Sequence, residues 1–148
     1  MKVVILAGGV GTRLAEETRT LPKPLVEIGH RPILWHLMQY CSHYGLDEFV
    51  IALGYRGELI KRYLADQCLL GGNFKLSFAE RRLEHLDSDS TSWQVELVDT
   101  GAYTQTGGRI KRLSSYLSDE AFLLLWSDGL FDVDLNSLLA HHRRQQVL

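Results

Sequence analysis

The chain has 148 residues, 45% of them apolar and 23% charged, which predicts one globular domain. Its formal net charge of −2 gives no basic excess, so no nucleic-acid partner is expected. The longest apolar run, Ala121–Trp126, falls far short of the ~20 residues of a membrane span, so no membrane association is expected. Cys41 and Cys68 form no CxxC pair, which favours small core residues in a reducing cytoplasm over a disulfide scaffold.

Hydrophobic periodicity and turn residues predict a regular alternation of strands and helices. In chain order, the patterns predict a buried strand over Lys2–Leu6, a helix between Pro32 and Gly45, a buried strand over Glu48–Leu53, a helix over Gly57–Gln67, half-exposed strands over Lys75–Ala79 and Gln94–Val98, a helix over Arg109–Leu117, a buried strand over Ala121–Trp126, and a helix over Leu135–Gln145 that Asp134 caps. Such alternation predicts a Rossmann-like α/β/α fold with three layers and a mostly parallel sheet. Ligands of such sheets bind beyond the carboxyl ends of the strands, so the loops after Leu6 and Trp126 are the candidate site.

The first of these loops is rich in glycine, with the sequence Gly8-Gly9-Val10-Gly11-Thr12-Arg13. Consecutive backbone N–H groups in such a loop form a concavity for anions, and Arg13 adds a fork of donors suited to phosphate. Leu14 stands where the dinucleotide fingerprint needs a small residue, and no Gly-Lys-Ser/Thr follows for a P-loop. The alternative is a plain glycine-rich turn, but the adjacent Thr-Arg after a first strand favours a phosphate loop.

Three further segments carry residues that could bind phosphate or a metal ion. Lys23 lies between Pro22 and Pro24, which predicts a stiff, extended presentation and a second phosphate contact. Asp128 follows the third buried strand, where a carboxylate can hold Mg²⁺ together with waters and substrate phosphates. A turn aspartate before Gly129 is the equally open alternative at that position. Asp99–Arg109 is a Gly- and Thr-rich flexible loop that either closes over a triphosphate or is only a mobile surface loop.

These motifs resemble the signature of the sugar-1-phosphate nucleotidyltransferases, in particular the glucose-1-phosphate cytidylyltransferase branch. The resemblance covers essentially the whole chain and rests on the Gly8–Arg13 loop, Pro22-Lys23-Pro24 and later segments, namely Lys23–Gly29, Pro32–His36, Ser42–Gly45, Gly54–Gly57, Val98–Gly101 and Thr106–Arg109. It implies a glycosyltransferase-A-like fold and a soluble cytoplasmic enzyme that forms a homo-oligomer. It also implies Mg²⁺-dependent synthesis of CDP-glucose and pyrophosphate from CTP and glucose 1-phosphate, for a cell-surface polysaccharide such as the lipopolysaccharide O-antigen.

The resemblance also implies roles for individual residues. Arg13, Lys23 and Asp128 are the implied catalytic residues, with Asp128 as the metal ligand. The implied nucleotide contacts are Leu6, Ala7, Gly8, Gly9, Val10, Gly11, Thr12, Arg13, Lys23, Thr104, Arg109 and Ser127.

The chain departs from the family pattern in several places. Trp126-Ser127-Asp128 stands where the family usually has Tyr-Gly-Asp, and His30 and Leu21 replace a common Gly and Lys. The family pattern continues beyond Leu148 with a second metal-binding Asp, a Lys for the sugar phosphate and the sugar pocket. The expectation is therefore a single nucleotide-binding domain over residues 1–148 that lacks the C-terminal sugar-binding part. The alternative to an enzyme is a nucleotide-binding or assembly module without turnover of its own; a nicotinamide oxidoreductase shares the fold class but conflicts with Leu14.

Overall fold

The computed structural model describes residues 1–9, 21–87, 91–117 and 120–145. The strands are β1 (Val3–Ala7), β2 (Glu27–Ile28), β3 (Arg31–Pro32), β4 (Glu48–Leu53), β5 (Phe74–Ser77), β6 (Arg82–His85), β7 (Gln94–Asp99) and β8 (Leu123–Trp126). The helices are α1 (Ile33–His43), α2 (Gly57–Leu70), α3 (Thr106–Arg112) and α4 (Leu135–Gln145), and a one-turn 3-10 helix spans Lys23–Leu25. No helix in these ranges is long and apolar enough to span a membrane.

The central sheet has four strands in the order β7-β4-β1-β8, and all three neighbouring pairs are parallel. Two separate antiparallel pairs, β2-β3 and β5-β6, lie outside this sheet. The predicted α/β class with a mostly parallel sheet is therefore confirmed. Parallel pairing places the carboxyl ends of β1, β4, β7 and β8 at one edge, where a ligand site is expected.

The central strands are buried on both faces, as a parallel sheet between two helical layers requires. Every described residue of β1 is buried, and so are five of the six residues of β4. Val3, Ile5 and Ala7 belong to the larger core, which the described residues of α1, α2 and α4 share. Val4 and Leu6 belong to a smaller core on the opposite face, which is covered by α3 and the residues after it. This division gives the three layers.

The structure corrects two of the predicted elements. The third helix begins at Thr106 and ends at Arg112, whereas the sequence predicted Arg109–Leu117. Gly107 and Gly108 have low helix propensity, and the side chain of Gln105 makes no capping hydrogen bond. The sequence therefore predicts a helix start three residues later than the observed one. The predicted strand at Lys75–Ala79 is β5, and its partner β6 was missed because its sequence, Arg-Leu-Glu-His, has one apolar residue.

Asp134 caps α4 as predicted. Its carboxylate accepts hydrogen bonds from the backbone N–H groups of Asn136 at 3.0 Å and Ser137 at 3.3 Å, and from the Ser137 hydroxyl at 2.7 Å. The bonds from Ser137 lower the pKa of Asp134 from its ordinary value. Because the folded pKa is the lower one, the cap stabilises the helix fully above a pH of about 4, and this contribution is lost as the pH falls further.

The two cysteines differ in their surroundings. Cys41 lies on the buried face of α1, and burial raises the pKa of its thiol to about 11. Cys68 is exposed on α2, so its prediction as a core residue is wrong. Helical periodicity could not exclude it, because Cys68 falls four residues after the buried Leu64.

We expect a thiol reagent at pH 8 to modify Cys68 quickly and Cys41 slowly. With a pKa of about 11, roughly 0.1% of Cys41 is thiolate at that pH, and burial also blocks access. Ellman titration of the native and denatured chain measures this difference. Cys68→Ser should remove the fast reaction, and two fast thiols in the native chain would contradict the burial of Cys41.

Candidate active site

A cavity of about 320 Å³ lies at the carboxyl edge of the sheet. It is formed by the residues after β1, the 3-10 helix, the loop between β7 and α3, and the end of β8. Its lining residues are Leu6, Ala7, Gly8, Gly9, Lys23, Pro24, Ala102, Tyr103, Thr104, Gln105, Thr106, Arg109, Trp126, Ser127 and Asp128. The cavity lies where the topology predicted a ligand site.

The register of the sheet brings the two predicted loops together. Leu6 pairs with Trp126 across the parallel β1–β8 ladder, and the Ser127 N–H donates to the Leu6 carbonyl at 3.3 Å. The residues that follow each strand therefore open on the same space. Among the implied site residues, the cavity gathers Leu6, Ala7, Gly8, Gly9, Lys23, Thr104, Arg109, Ser127 and Asp128. Val10, Gly11, Thr12 and Arg13 lie outside the described residues, as does Leu14.

Lys23 and Asp128 form an ion pair across the cavity, with Nζ 3.3 Å from Oδ2. Lys23 opens the 3-10 helix and is not extended, although Pro22 before it is. Pro24 fits the first turn because no N–H donor is needed there. The Lys23 and Asp128 side chains are 22% and 44% exposed, so water screens the pair and its contribution is at most about 1 kcal/mol. An anionic ligand can therefore separate the two groups at little cost.

Arg109 lies in α3 with 5% of its surface exposed. Its Nη1 donates to three acceptors and its Nη2 to two, namely the Leu53 carbonyl at 3.0 Å, the Thr100 hydroxyl at 2.7 Å, the Gly101 carbonyl at 2.9 Å, the Gly8 carbonyl at 2.8 Å and the Ala102 carbonyl at 3.3 Å. Burial is the main cause that lowers the pKa of this guanidinium, and Arg112 adds to the effect. The side chain thus connects the ends of β1 and β4 to the loop after β7.

Two glycines leave room for this guanidinium. A Cβ at Gly54 would lie 2.5 Å from Arg109 Nη1, and a Cβ at Gly8 would overlap the same group. Gly8 and Gly54 therefore allow the guanidinium to approach the backbone closely. This role was not visible in the sequence, because Arg109 is 101 residues from Gly8.

The segment Asp99–Arg109 is more regular than the predicted loop. Asp99 ends β7, and residues from Thr106 onward are helical. Arg112 Nη1 donates to the Thr100 carbonyl at 2.6 Å and to the Thr104 hydroxyl at 2.8 Å. Thr104 lines the cavity, and its hydroxyl already accepts a hydrogen bond. The loop is shorter than the predicted Asp99–Arg109, because only residues 100–105 lie between β7 and α3.

Two aromatic residues of the cavity were missed by the sequence analysis. Trp126 was assigned to a buried strand but is 58% exposed at its end, and Tyr103 is 90% exposed. The departure of Trp126-Ser127-Asp128 from the family pattern was the one sequence feature that could have pointed to Trp126. Ser127, in contrast, is buried.

The described residues fit a Mg²⁺ ion that arrives with phosphates better than a preformed metal centre. No group of three or more His, Cys, Asp or Glu side chains in the described ranges could hold a metal. Among the described residues that line the cavity, Asp128 alone carries a carboxylate. Mg²⁺ in nucleotide sites uses one or two carboxylates and fills the remaining positions with water and phosphate oxygens, so one carboxylate beside this cavity is compatible with it.

Comparisons with known proteins agree with this geometry. The profile of the Nucleotidyl transferase family matches residues 2–147. A glucose-1-phosphate cytidylyltransferase of Salmonella typhimurium is 47% identical over 144 residues, which are 97% of this chain and 56% of the relative. A probable glucose-1-phosphate cytidylyltransferase of Bacillus subtilis is 42% identical over 143 residues, with the same coverage of both chains.

Solved structures show the same fold. HddC from Yersinia pseudotuberculosis complexed with GMP-PN has a TM-score of 0.68 at 27% identity, over 95% of this chain and 53% of that one. The chain thus spans about half the length of each of these three relatives. Because the family profile covers nearly every residue and the sheet edge carries the loops that the family motifs predict, the chain belongs to the nucleotidyl transferase family.

Proposed function

We propose that this chain takes part in the transfer of a cytidylyl group from CTP to glucose 1-phosphate, which yields CDP-glucose and pyrophosphate. The 47% identity to the Salmonella typhimurium enzyme over 97% of the chain carries this proposal. The choice of cytidine and of glucose follows the names of that relative and of the Bacillus subtilis one. The cavity with Lys23 and Asp128 supports the chemistry from the structural side.

We assign the nucleotide side of this reaction to residues 1–148, as one domain. The chain matches 56% of the length of the Salmonella relative, so the activity of a protein of that length is part of the proposal. The proposal extends to a cytoplasmic homo-oligomer that supplies CDP-glucose for a cell-surface polysaccharide.

The proposed reaction is an attack by a phosphate oxygen of the sugar phosphate on the α-phosphorus of CTP. The second pKa of a phosphate monoester is about 6, so the nucleophile is already anionic at neutral pH and needs no general base. The protein has to overcome repulsion between two anions and align them, which is electrostatic and geometric work. Lys23 supplies a positive charge at the cavity, and the backbone N–H groups after β1 supply neutral donors.

Mg²⁺ is the proposed cofactor, with Asp128 as its ligand on this chain. When bound, the ion would neutralise charge that develops on the leaving pyrophosphate. In the structure, the Asp128 carboxylate is paired with the positive charge of Lys23. When the ligands bind, Lys23 would exchange its contact with Asp128 for a phosphate, and Asp128 would exchange Lys23 for the metal ion. Each charged group would thus keep a partner of opposite charge.

Calorimetric titration with CTP, ATP and NAD, each with and without Mg²⁺, tests the proposed function. We expect CTP with Mg²⁺ to bind more tightly than ATP or NAD. Equal affinity for NAD and CTP, or no affinity for CTP, would refute the assignment.

We expect Lys23→Ala and Arg13→Ala each to weaken CTP binding by roughly 1.5–3 kcal/mol, the range for a hydrogen bond to a charged group. Arg13→Lys should restore only part of the affinity, because an ammonium lacks the bidentate fork of a guanidinium. Lys75→Ala on the exposed strand β5 is the matched control and should bind like the parent chain. Unchanged CTP affinity in Lys23→Ala would place Lys23 outside the nucleotide site.

A further inference from the structure

The hydrogen bonds of Arg109 point to a role that differs from direct contact with phosphate. Its two terminal nitrogens carry four N–H bonds, and these face five protein oxygens. Both nitrogens are therefore engaged by the protein before any ligand arrives. The helix α3 and the neighbouring loop hold the side chain in that position.

One of these acceptors belongs to the Gly8–Gly9 peptide. The Gly8 carbonyl accepts from Arg109 Nη2 at 2.8 Å and from the Tyr55 N–H at 3.3 Å. A peptide unit is planar, and in the trans form its N–H points opposite to its C=O. A fixed Gly8 carbonyl therefore fixes the direction of the Gly9 N–H, which points away from the guanidinium. Gly9 lines the cavity.

We propose that Arg109 is a positioning residue, which with Thr100 orients the Gly8–Gly9 peptide so that the Gly9 N–H binds a phosphate of the nucleotide. The inference rests on the proposed function, because that function supplies the phosphate. A guanidinium is suited to this task, since its rigid planar fork holds several carbonyl groups in fixed relative positions. The free space at Gly8 and Gly54 is what lets the fork reach them.

Thr100 makes the proposal testable without a change at the cavity. Its side chain is fully buried and does not line the cavity. Its hydroxyl donates to the Leu53 carbonyl at 2.7 Å and accepts from Arg109 Nη1 at 2.7 Å. Thr100→Val keeps the shape of the side chain and removes an acceptor of Arg109, so any effect on a ligand must pass through Arg109 or the backbone near it.

The experiment compares Thr100→Val and Arg109→Lys with the parent chain, and Thr91→Val, at an exposed position, is the matched control. Calorimetry measures the affinity for CTP, pyrophosphate and cytidine at a temperature well below each melting midpoint. The Gly9 amide resonance in a ¹⁵N-labelled chain reports on the orientation of the peptide.

We expect each substitution to weaken CTP and pyrophosphate binding on the order of tenfold, which corresponds to a net hydrogen-bond contribution. Cytidine affinity should stay unchanged in Thr100→Val, whose side chain does not line the cavity, and the Gly9 resonance should shift in both variants without ligand. The double variant should lose less than the product of the two single losses, because both act on one contact. Thr91→Val should match the parent chain.

Two results would overturn the inference. Parent-like CTP affinity in Thr100→Val would exclude a positioning role that depends on this hydroxyl. Equal losses for cytidine and CTP in Thr100→Val would indicate a general structural effect. If the parent chain itself does not bind CTP, the proposed function fails instead, and a Gly9 resonance that still shifts in Thr100→Val would show that the peptide is held as described.

Discussion

Asp128→Asn is expected to remove the gain in CTP affinity that Mg²⁺ gives to the parent chain. Asn keeps the shape of the side chain but not the charge that holds a divalent cation. Where the chain supports turnover, Mg²⁺-dependent release of pyrophosphate should fall by a factor of several hundred or more, since stabilisation of a developing charge by a metal is worth several kcal/mol. Calorimetry with and without Mg²⁺, together with a pyrophosphate assay, measures both effects.

The ion pair with Lys23 predicts a second and opposite effect of the same substitution. In the parent chain, Lys23 Nζ lies 3.3 Å from the Asp128 carboxylate. Without that negative charge, Lys23 is available to the triphosphate, and repulsion between Asp128 and the nucleotide disappears. Metal-free CTP should therefore bind to Asp128→Asn at least as tightly as to the parent chain. A loss of metal-free binding would mean that Asp128 supports the cavity itself.

Gly54→Ala is expected to destabilise the chain by about 1–3 kcal/mol, the usual cost of overpacking a tight site. Its Cβ would lie 2.5 Å from Arg109 Nη1 and 2.7 Å from the Gly8 carbonyl oxygen. The guanidinium cannot move aside freely, because five protein oxygens hold it. Urea denaturation measures the change in the free energy of unfolding, and CTP affinity should fall as well because the Gly8–Gly9 peptide shifts.

Gly107→Ala is the control for this substitution. Gly107 is exposed in α3, and a Cβ there meets no atom within 4 Å. Replacement of a helical glycine by alanine should stabilise the chain by roughly 0.5–1 kcal/mol. A Gly54→Ala chain that is as stable as the parent would show that Arg109 adapts to the added methyl group.

The sequence predicts those parts of the fold that short-range patterns determine. The strands at Glu48–Leu53 and Ala121–Trp126 show in their apolar runs. β4 is buried and has the predicted bounds, whereas β8 begins at Leu123 and has one buried residue, Leu125. The edge of the sheet that carries the cavity follows from strand–helix alternation, and Asp128 lies at that edge. Each of these conclusions needs only neighbouring residues and general rules of sheet topology.

The remainder depends on contacts between distant residues. The bond from Arg109 to the Gly8 carbonyl spans 101 positions, and no local pattern distinguishes an arginine that holds backbone carbonyls from one that awaits a phosphate. Trp126 was predicted to be buried because it ends an apolar run, yet β8 flanks β1 in the described sheet and leaves its last side chain at the cavity.

The position of β1 between β4 and β8 has a consequence for the folding of the chain. Val3 pairs with Phe49 on one side and with Leu123 on the other, so the second ladder joins residues that are 123 − 3 = 120 positions apart. Pairings of such long range form slowly, because loop closure precedes the contacts that stabilise it. During synthesis, one side of β1 stays without β8 until residues 123–126 have left the ribosome. The cavity is lined by residues of β1 and of β8, so it is complete only after this long-range pairing has formed.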